Sequence, residues 1–123
     1  MELAEAIRAG LPAKALDYLL QDWAQWVPSA AEIYRVIGSA RTLQRKRTQS
    51  RKLSADESDR LARLARLVVR AEEALGDPGK AHRWLTRPNR ALGGHRPLTL
   101  LDSDAGARMV ERILGRIEHG VYS

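Results

Sequence analysis

The stretch SADE, Ser54 to Glu57, followed by eighteen residues without proline or glycine, constrains the fold of this chain more than any other. A Ser at the cap with Glu three residues later is the reciprocal capping box, in which two side chains satisfy orphan N–H groups at a helix start. Behind it, Leu61, Leu64, Val68 and Leu75 recur on one side of a helical period, and Gly76 stops the run. The spacing predicts one long helix to about Leu75. A helix with such a stripe needs other elements to cover it.

The rest of the chain reads as helical too, because no segment alternates with period two. A short helix is expected over Glu2 to Ala9, ended by Gly10. Pro12 suits the first turn of a second helix, with Leu16, Leu19, Leu20 and Trp23 spaced by 3 and 4. PSAAEIYRVIG has Ser29 as a cap with Glu32 three residues on, Ala30, Ile33, Tyr34 and Ile37 as its stripe, and Gly38 as its stop. Ser39 caps ARTLQRKR, with Leu43 as the inward anchor. After the long helix, Asp77 caps a segment with Pro78 at its first position, and Trp84 and Leu85 are expected to pack inward. RPNRALGGHRP is a run of turn formers, PLTLL a further short turn. Asp102 or Ser103 then caps a last helix buried through Val110, Ile113, Leu114 and Ile117. The fold class is all-α: a helix-turn-helix domain over 1–64, joined through the long helix to a small helical domain over 65–123. No internal repeat is present.

Length and composition suit one compact unit or two small helical subdomains. No Cys occurs, which excludes disulfides, thiolate nucleophiles and cysteine-ligated zinc. The opening MELAEAIRAG has no long apolar run, and no stretch approaches the ~18 apolar residues of a membrane span. The expectation is a soluble, cytoplasmic protein with no membrane partner.

The formal net charge of +6 suggests a polyanionic partner, and its distribution says more. From Arg35 to Leu53, Arg35 included, there are seven basic residues and no acid. Such a block often serves only as a solvated face. Here it falls on a helix, a tight Gly-containing turn and a second short helix, the layout of a DNA reader. Arg41 and Thr42 occupy the first turn of the second helix, with Gln44 and Arg45 one turn on. Arg can grip guanine and Gln adenine in two-bond fashion, while Lys46, Arg47 and Arg51 more naturally hold phosphates. One such motif is small, so a homodimer reading two half-sites is expected.

Nothing assembles a nucleophile, a base and an oxyanion site. His82, His95 and His119 lack the spacing of a helical metal site, and surface or packing roles suffice for them. Asp56, Glu57 and Asp59 stand at a helix start, where the dipole favours carboxylates. No enzyme, cofactor or metal is expected. The tail IEHGVYS is odd for a fraying end: Gly120 breaks the helix and Val121 and Tyr122 follow. It either folds back on the protein's own core or reaches a partner.

WLTRPNRALGGHRPLTLLDSDAGARMVERILGRIEHGVYS, Trp84 to Ser123, resembles the C-terminal domain of the Xre/MbcA/ParS antitoxins. The likeness rests on Trp-Leu before Pro-Asn, Leu-Gly-Gly, Arg-Pro-Leu, Leu-Leu-Asp, an early Gly in the last helix and the terminal Ile-Glu-His-Gly-Val. SARTLQRKR followed by LSADESDRLARL is similar to the Xre-type helix-turn-helix of the same proteins. The resemblance runs from about Gly10 to the end.

It implies a type II antitoxin that binds a cognate RES-domain toxin, which consumes or transfers ADP-ribose from NAD, and that represses its own operon by binding operator DNA. The resemblance also implies a homodimer within a hetero-oligomeric toxin–antitoxin complex. The end of the chain, Glu118, His119, Gly120, Val121, Tyr122 and Ser123, is then expected to approach and obstruct the toxin's NAD pocket. NAD would be the toxin's substrate, not a cofactor of this chain. Two other readings fit the residues: a plain helix-turn-helix transcription regulator without a toxin partner, and an adaptor that binds a protein but no DNA.

Overall fold

A computed structural model describes residues 2–23 and 31–120. Seven α-helices are formed among them: α1 (Leu3–Ala9), α2 (Ala15–Trp23), α3 (Ala31–Ile37), α4 (Ala40–Thr48), α5 (Ala55–Leu75), α6 (Pro78–Thr86) and α7 (Asp104–Glu118). Two 3-10 turns, Arg90–Leu92 and Pro97–Asp102, lie between α6 and α7. None of the described helices is long and apolar enough to cross a membrane. Contacts divide the chain into two compact units, 1–62 and 63–123, the division falling inside α5.

The capping box opens α5 as its residues require. The Glu57 N–H donates to Ser54 Oγ at 3.1 Å, and the Ser54 N–H donates to Glu57 Oε1 at 2.7 Å. The buried stripe differs in part from the expected one. Leu61, Leu64 and Val68 are buried as expected, Leu67 and Ala71 join them, and Leu75 is only half-buried. At 100° per residue Leu75 keeps the angular position of the stripe, but it is the last residue of α5.

In the first unit Leu16, Trp23, Ile33, Tyr34, Ile37 and Leu43 are buried, with Val36 beside them. Leu19 and Leu20 are half-buried. Ser29 and Ala30, expected to cap and pad α3, lie outside the described residues. Pro12 is a correction. Rather than starting α2, it forms an isolated antiparallel bridge with Lys52, and the helix begins at Ala15. The Leu53 N–H donates to the Leu11 carbonyl at 2.8 Å, and the Ala13 N–H to the Arg51 carbonyl at 3.0 Å. The missing N–H of Pro12 costs nothing there, because its neighbours make the bonds. The Leu11 N–H is taken by Ser58 Oγ at 2.8 Å, and Ser58 is fully buried.

The second unit packs α6 and α7 against the 3-10 turn Pro97–Asp102. Asp77 caps α6 by accepting from the Lys80 N–H at 2.9 Å, and Ser103, not Asp102, caps α7 by accepting from the Gly106 N–H at 3.0 Å. His82 is buried; its Nδ1 lies 2.6 Å from the Pro78 carbonyl, which can only accept, so Nδ1 carries the proton. The RPNRALGGHRP segment is more ordered than a plain irregular connection. Asn89 accepts from the Ala91 N–H through Oδ1 at 2.9 Å, and its own N–H donates to the His95 carbonyl at 3.0 Å.

Gly106 is required by contact. A Cβ there would sit 2.0 Å from the Leu100 carbonyl oxygen, a backbone atom that cannot rotate away. Gly115, in the same helix, has only the Arg70 guanidinium 3.9 Å from a would-be Cβ. Gly106→Ala should therefore destabilise the protein by ~1–3 kcal/mol through overpacking. Gly115→Ala should be neutral or stabilising, by up to ~1 kcal/mol, because Ala is the better helix former. Thermal unfolding followed by circular dichroism checks both; an unchanged Tm for Gly106→Ala would contradict the packing described.

Candidate functional site

α3 and α4 form the helix-turn-helix expected of the basic block. Gly38 ends α3 by donating its N–H to the Tyr34 carbonyl at 2.7 Å. Ser39, in extended conformation, caps α4 by accepting from the Thr42 N–H at 3.4 Å. Leu43 is fully buried and fixes which face of α4 turns inward. Residues three and four apart share a helix face, so Arg41, Gln44, Arg45 and Thr48 form the opposite, exposed face. Thr42 is half-buried, and Arg51 and Lys52 are exposed just beyond the helix.

Lys46 and Arg47 fall on the Leu43 side, and both are ion-paired within the unit. Lys46 Nζ lies 2.6 Å from Glu57 Oε1. Arg47 Nε donates to Asp17 Oδ1 at 2.6 Å, and its Nη1 donates to the Tyr34 hydroxyl. Burial opposes the Arg47 charge, but the bonds to Asp17 and Tyr34 outweigh it and raise its pKa. Two of the three residues expected to hold phosphates therefore brace the helix in this structure. Arg41, Gln44, Arg45 and Arg51 remain the outward set. Sequence reasoning found Glu57 through the capping box but missed Asp17 and Tyr34 as partners of α4, since nothing local points from position 17 to position 47.

At the other end, α7 closes through the His119 N–H, which donates to the Gly115 carbonyl at 3.1 Å. Gly120 follows at φ +70°, a left-handed conformation, with its N–H on the Ile117 carbonyl at 3.1 Å. Glu118, His119 and Gly120 are exposed. Glu118 is ion-paired with Arg70 of α5, so its carboxylate has a partner on this chain. Val121, Tyr122 and Ser123 lie outside the described residues. Of the predicted helix-turn-helix residues, Arg41, Gln44 and Arg45 thus share the exposed face of α4 in the first unit, and Glu118 to Gly120 stand at the end of α7 in the second.

Residues 2–66 match the family described as the antitoxin Xre-like helix-turn-helix domain. Residues 70–120 match the antitoxin Xre/MbcA/ParS C-terminal toxin-binding domain. The chain is 37% identical over 123 aligned residues to an Antitoxin Xre of Yersinia enterocolitica, covering 98% of this chain and 81% of that one. It is equally 37% identical over 119 residues to an Antitoxin Xre of Photorhabdus laumondii, covering 95% and 78%. A protein of a Sphingobium species named Prs ADP-ribosylating antitoxin is 32% identical over 91 residues, covering 67% and 57%. The chain belongs to the Xre antitoxin family.

The brace under α4 has a pH signature. Burial alone would raise the Glu57 carboxyl, but the bonds from Lys46 and from Ser54 prevail and hold it below its ordinary 4.5. A carboxyl lowered by folding adds stability that is complete above the unfolded value, here about 4.5, and is lost as pH falls through the lower folded value. Glu57→Gln keeps the capping bonds but removes the charge. Its Tm should lie below wild type at neutral pH, and the gap should narrow as the medium is acidified past that value. A gap independent of pH, measured by thermal melts across the range, would contradict the pairing.

Proposed function

We propose that this Xre-family antitoxin silences a cognate RES-domain toxin and represses its own operon. The observation that carries the reading is the pairing in one chain of a helix-turn-helix, whose second helix turns Arg41, Gln44 and Arg45 outward, with a matched toxin-binding domain. The toxin is proposed to consume NAD. A relative named for Prs ADP-ribosylation supports this, because ADP-ribosyl transfer commonly draws its group from NAD. Operator and toxin are both cytoplasmic targets, and the chain acts there.

In this reading α4 enters the major groove. Arg41 and Arg45 meet guanine edges and Gln44 an adenine edge, with Thr42 beside them, while Arg51 holds a phosphate. Lys46 and Arg47 contribute mainly by holding α4 at its angle through Glu57, Asp17 and Tyr34. A homodimer supplies two such helices for two half-sites, within a larger complex with the toxin. At the other end Glu118, His119 and Gly120 lead Val121, Tyr122 and Ser123 toward the toxin's NAD pocket. A tyrosine joins a large apolar ring to one polar tip, which suits it to anchor an interface.

Two experiments test these roles. In gel-shift titrations on the upstream region, Arg41→Ala and Arg45→Ala should each cost ~1–3 kcal/mol and relax specificity, whereas Arg51→Ala should weaken all sequences alike and reduce the salt slope by about one. Unchanged operator binding by the Arg41→Ala, Arg45→Ala double variant would overturn the DNA role. For the tail, NAD consumption by the toxin is measured with the full chain and with a chain ending at Gly120. The shortened chain should keep its melting temperature and fail to inhibit; full inhibition at matching affinity would overturn the obstruction.

A further inference from the structure

The second unit carries an open groove of about 370 Å³ that no role above uses. It begins at Leu75, the last residue of α5, and runs along α6 to the segment that follows it. Its apolar lining is Leu75 and Trp84, both half-buried, with Pro88. Its cations are Lys80, Arg83 and Arg87, all exposed. The remaining lining residue, Asn89, is committed to the Ala91 N–H. No carboxylate lines the groove, and among the described residues none of the three cations is ion-paired.

We infer that this groove is a docking site for an acidic segment of the partner protein, in which carboxylates flank one apolar or aromatic side chain. The inference rests on the toxin-binding reading above and adds a surface to it. Charge complementarity carries the choice. Three unneutralised cations around an apolar lining favour an occupant with the opposite charge and something to bury. Arg83 and Arg87 offer planar donor forks that match carboxylates in two-bond geometry. Trp84 supplies the aromatic surface that anchors interfaces, and Leu75 and Pro88 extend it. A nucleic-acid backbone would need the cations but not Leu75 or Pro88, so a peptide uses more of what the groove offers. The site also explains why Trp84 and Leu75, expected inside, stay half open.

The test uses the full chain and the protein encoded beside its gene, with affinity measured by calorimetry at low and high salt. Arg83→Glu with Arg87→Glu should weaken binding ~10-fold or more and flatten its salt dependence. Arg83→Lys with Arg87→Lys should recover part of the loss. Trp84→Ala should weaken binding without changing the salt dependence; if that variant fails to fold, the double reversal decides alone, because both its positions are exposed. Wild-type binding matched by the double reversal would overturn the groove and leave the antitoxin reading intact. No binding by the wild type would overturn the antitoxin reading, and the groove with it. A double reversal that keeps partner affinity but loses operator DNA would overturn the inference in favour of a nucleic-acid contact.

Discussion

The organisation of the first unit hangs on one carboxylate oxygen. Glu57 Oε1 accepts the Ser54 N–H, which starts α5, and also takes the Lys46 ammonium, which ties down α4. A helix start has orphan N–H groups whatever follows it, so a carboxylate there is favoured by the dipole even without Lys46. The second partner turns a local cap into a tertiary joint. The same pattern repeats at Arg47, which gathers Asp17 of α2 and Tyr34 of α3 onto α4. Pairs of this kind, partly shielded and sharing hydrogen bonds, hold geometry better than isolated surface pairs do. They set the angle at which the exposed face of α4 is presented.

This division of labour bears on how a basic helix is read. A block of seven cations without an acid suggests one continuous electrostatic face. Leu43 divides it, because burying that one side chain sends Lys46 and Arg47 to the packed side and Arg41 and Arg45 to the other. Charge therefore serves two ends within one helix. Inside, it orients α4 against acids from elsewhere in the unit; outside, it remains available to a polyanion.

In the second unit, close backbone approach works beside the Arg70–Glu118 ion pair. Gly106 lets α7 approach the Leu100 carbonyl closer than any side chain would permit. The 3-10 turn that carries Leu100 in turn packs against α6. The surface left over by this packing includes the end of α7 and the cationic groove along α6. Both lie within the stretch matched to the toxin-binding domain, residues 70–120, apart from the last three residues of the chain.

Much of this was legible in the residues themselves. The capping box at Ser54 and Glu57, the caps at Ser39 and Asp77, the stop at Gly76 and the anchor Leu43 act within about one helical turn, so sequence alone determined the helices, the all-α class and the family. What lay beyond one turn was decided by tertiary structure. Pro12 looked like a helix start because its ring suits that position; the pairing of its neighbours with Arg51 and Leu53 put it in a bridge instead. Leu75 and Trp84 fit an apolar stripe by spacing, yet the end of α5 and the course of the chain after α6 left them at a groove. The bond of Arg47 to Asp17 joins positions 30 residues apart, so no local pattern announces it. Local rules report which residues share a face. Only the folded chain brings distant charges within reach, and it thereby decides which cations are engaged at home and which are left for a partner.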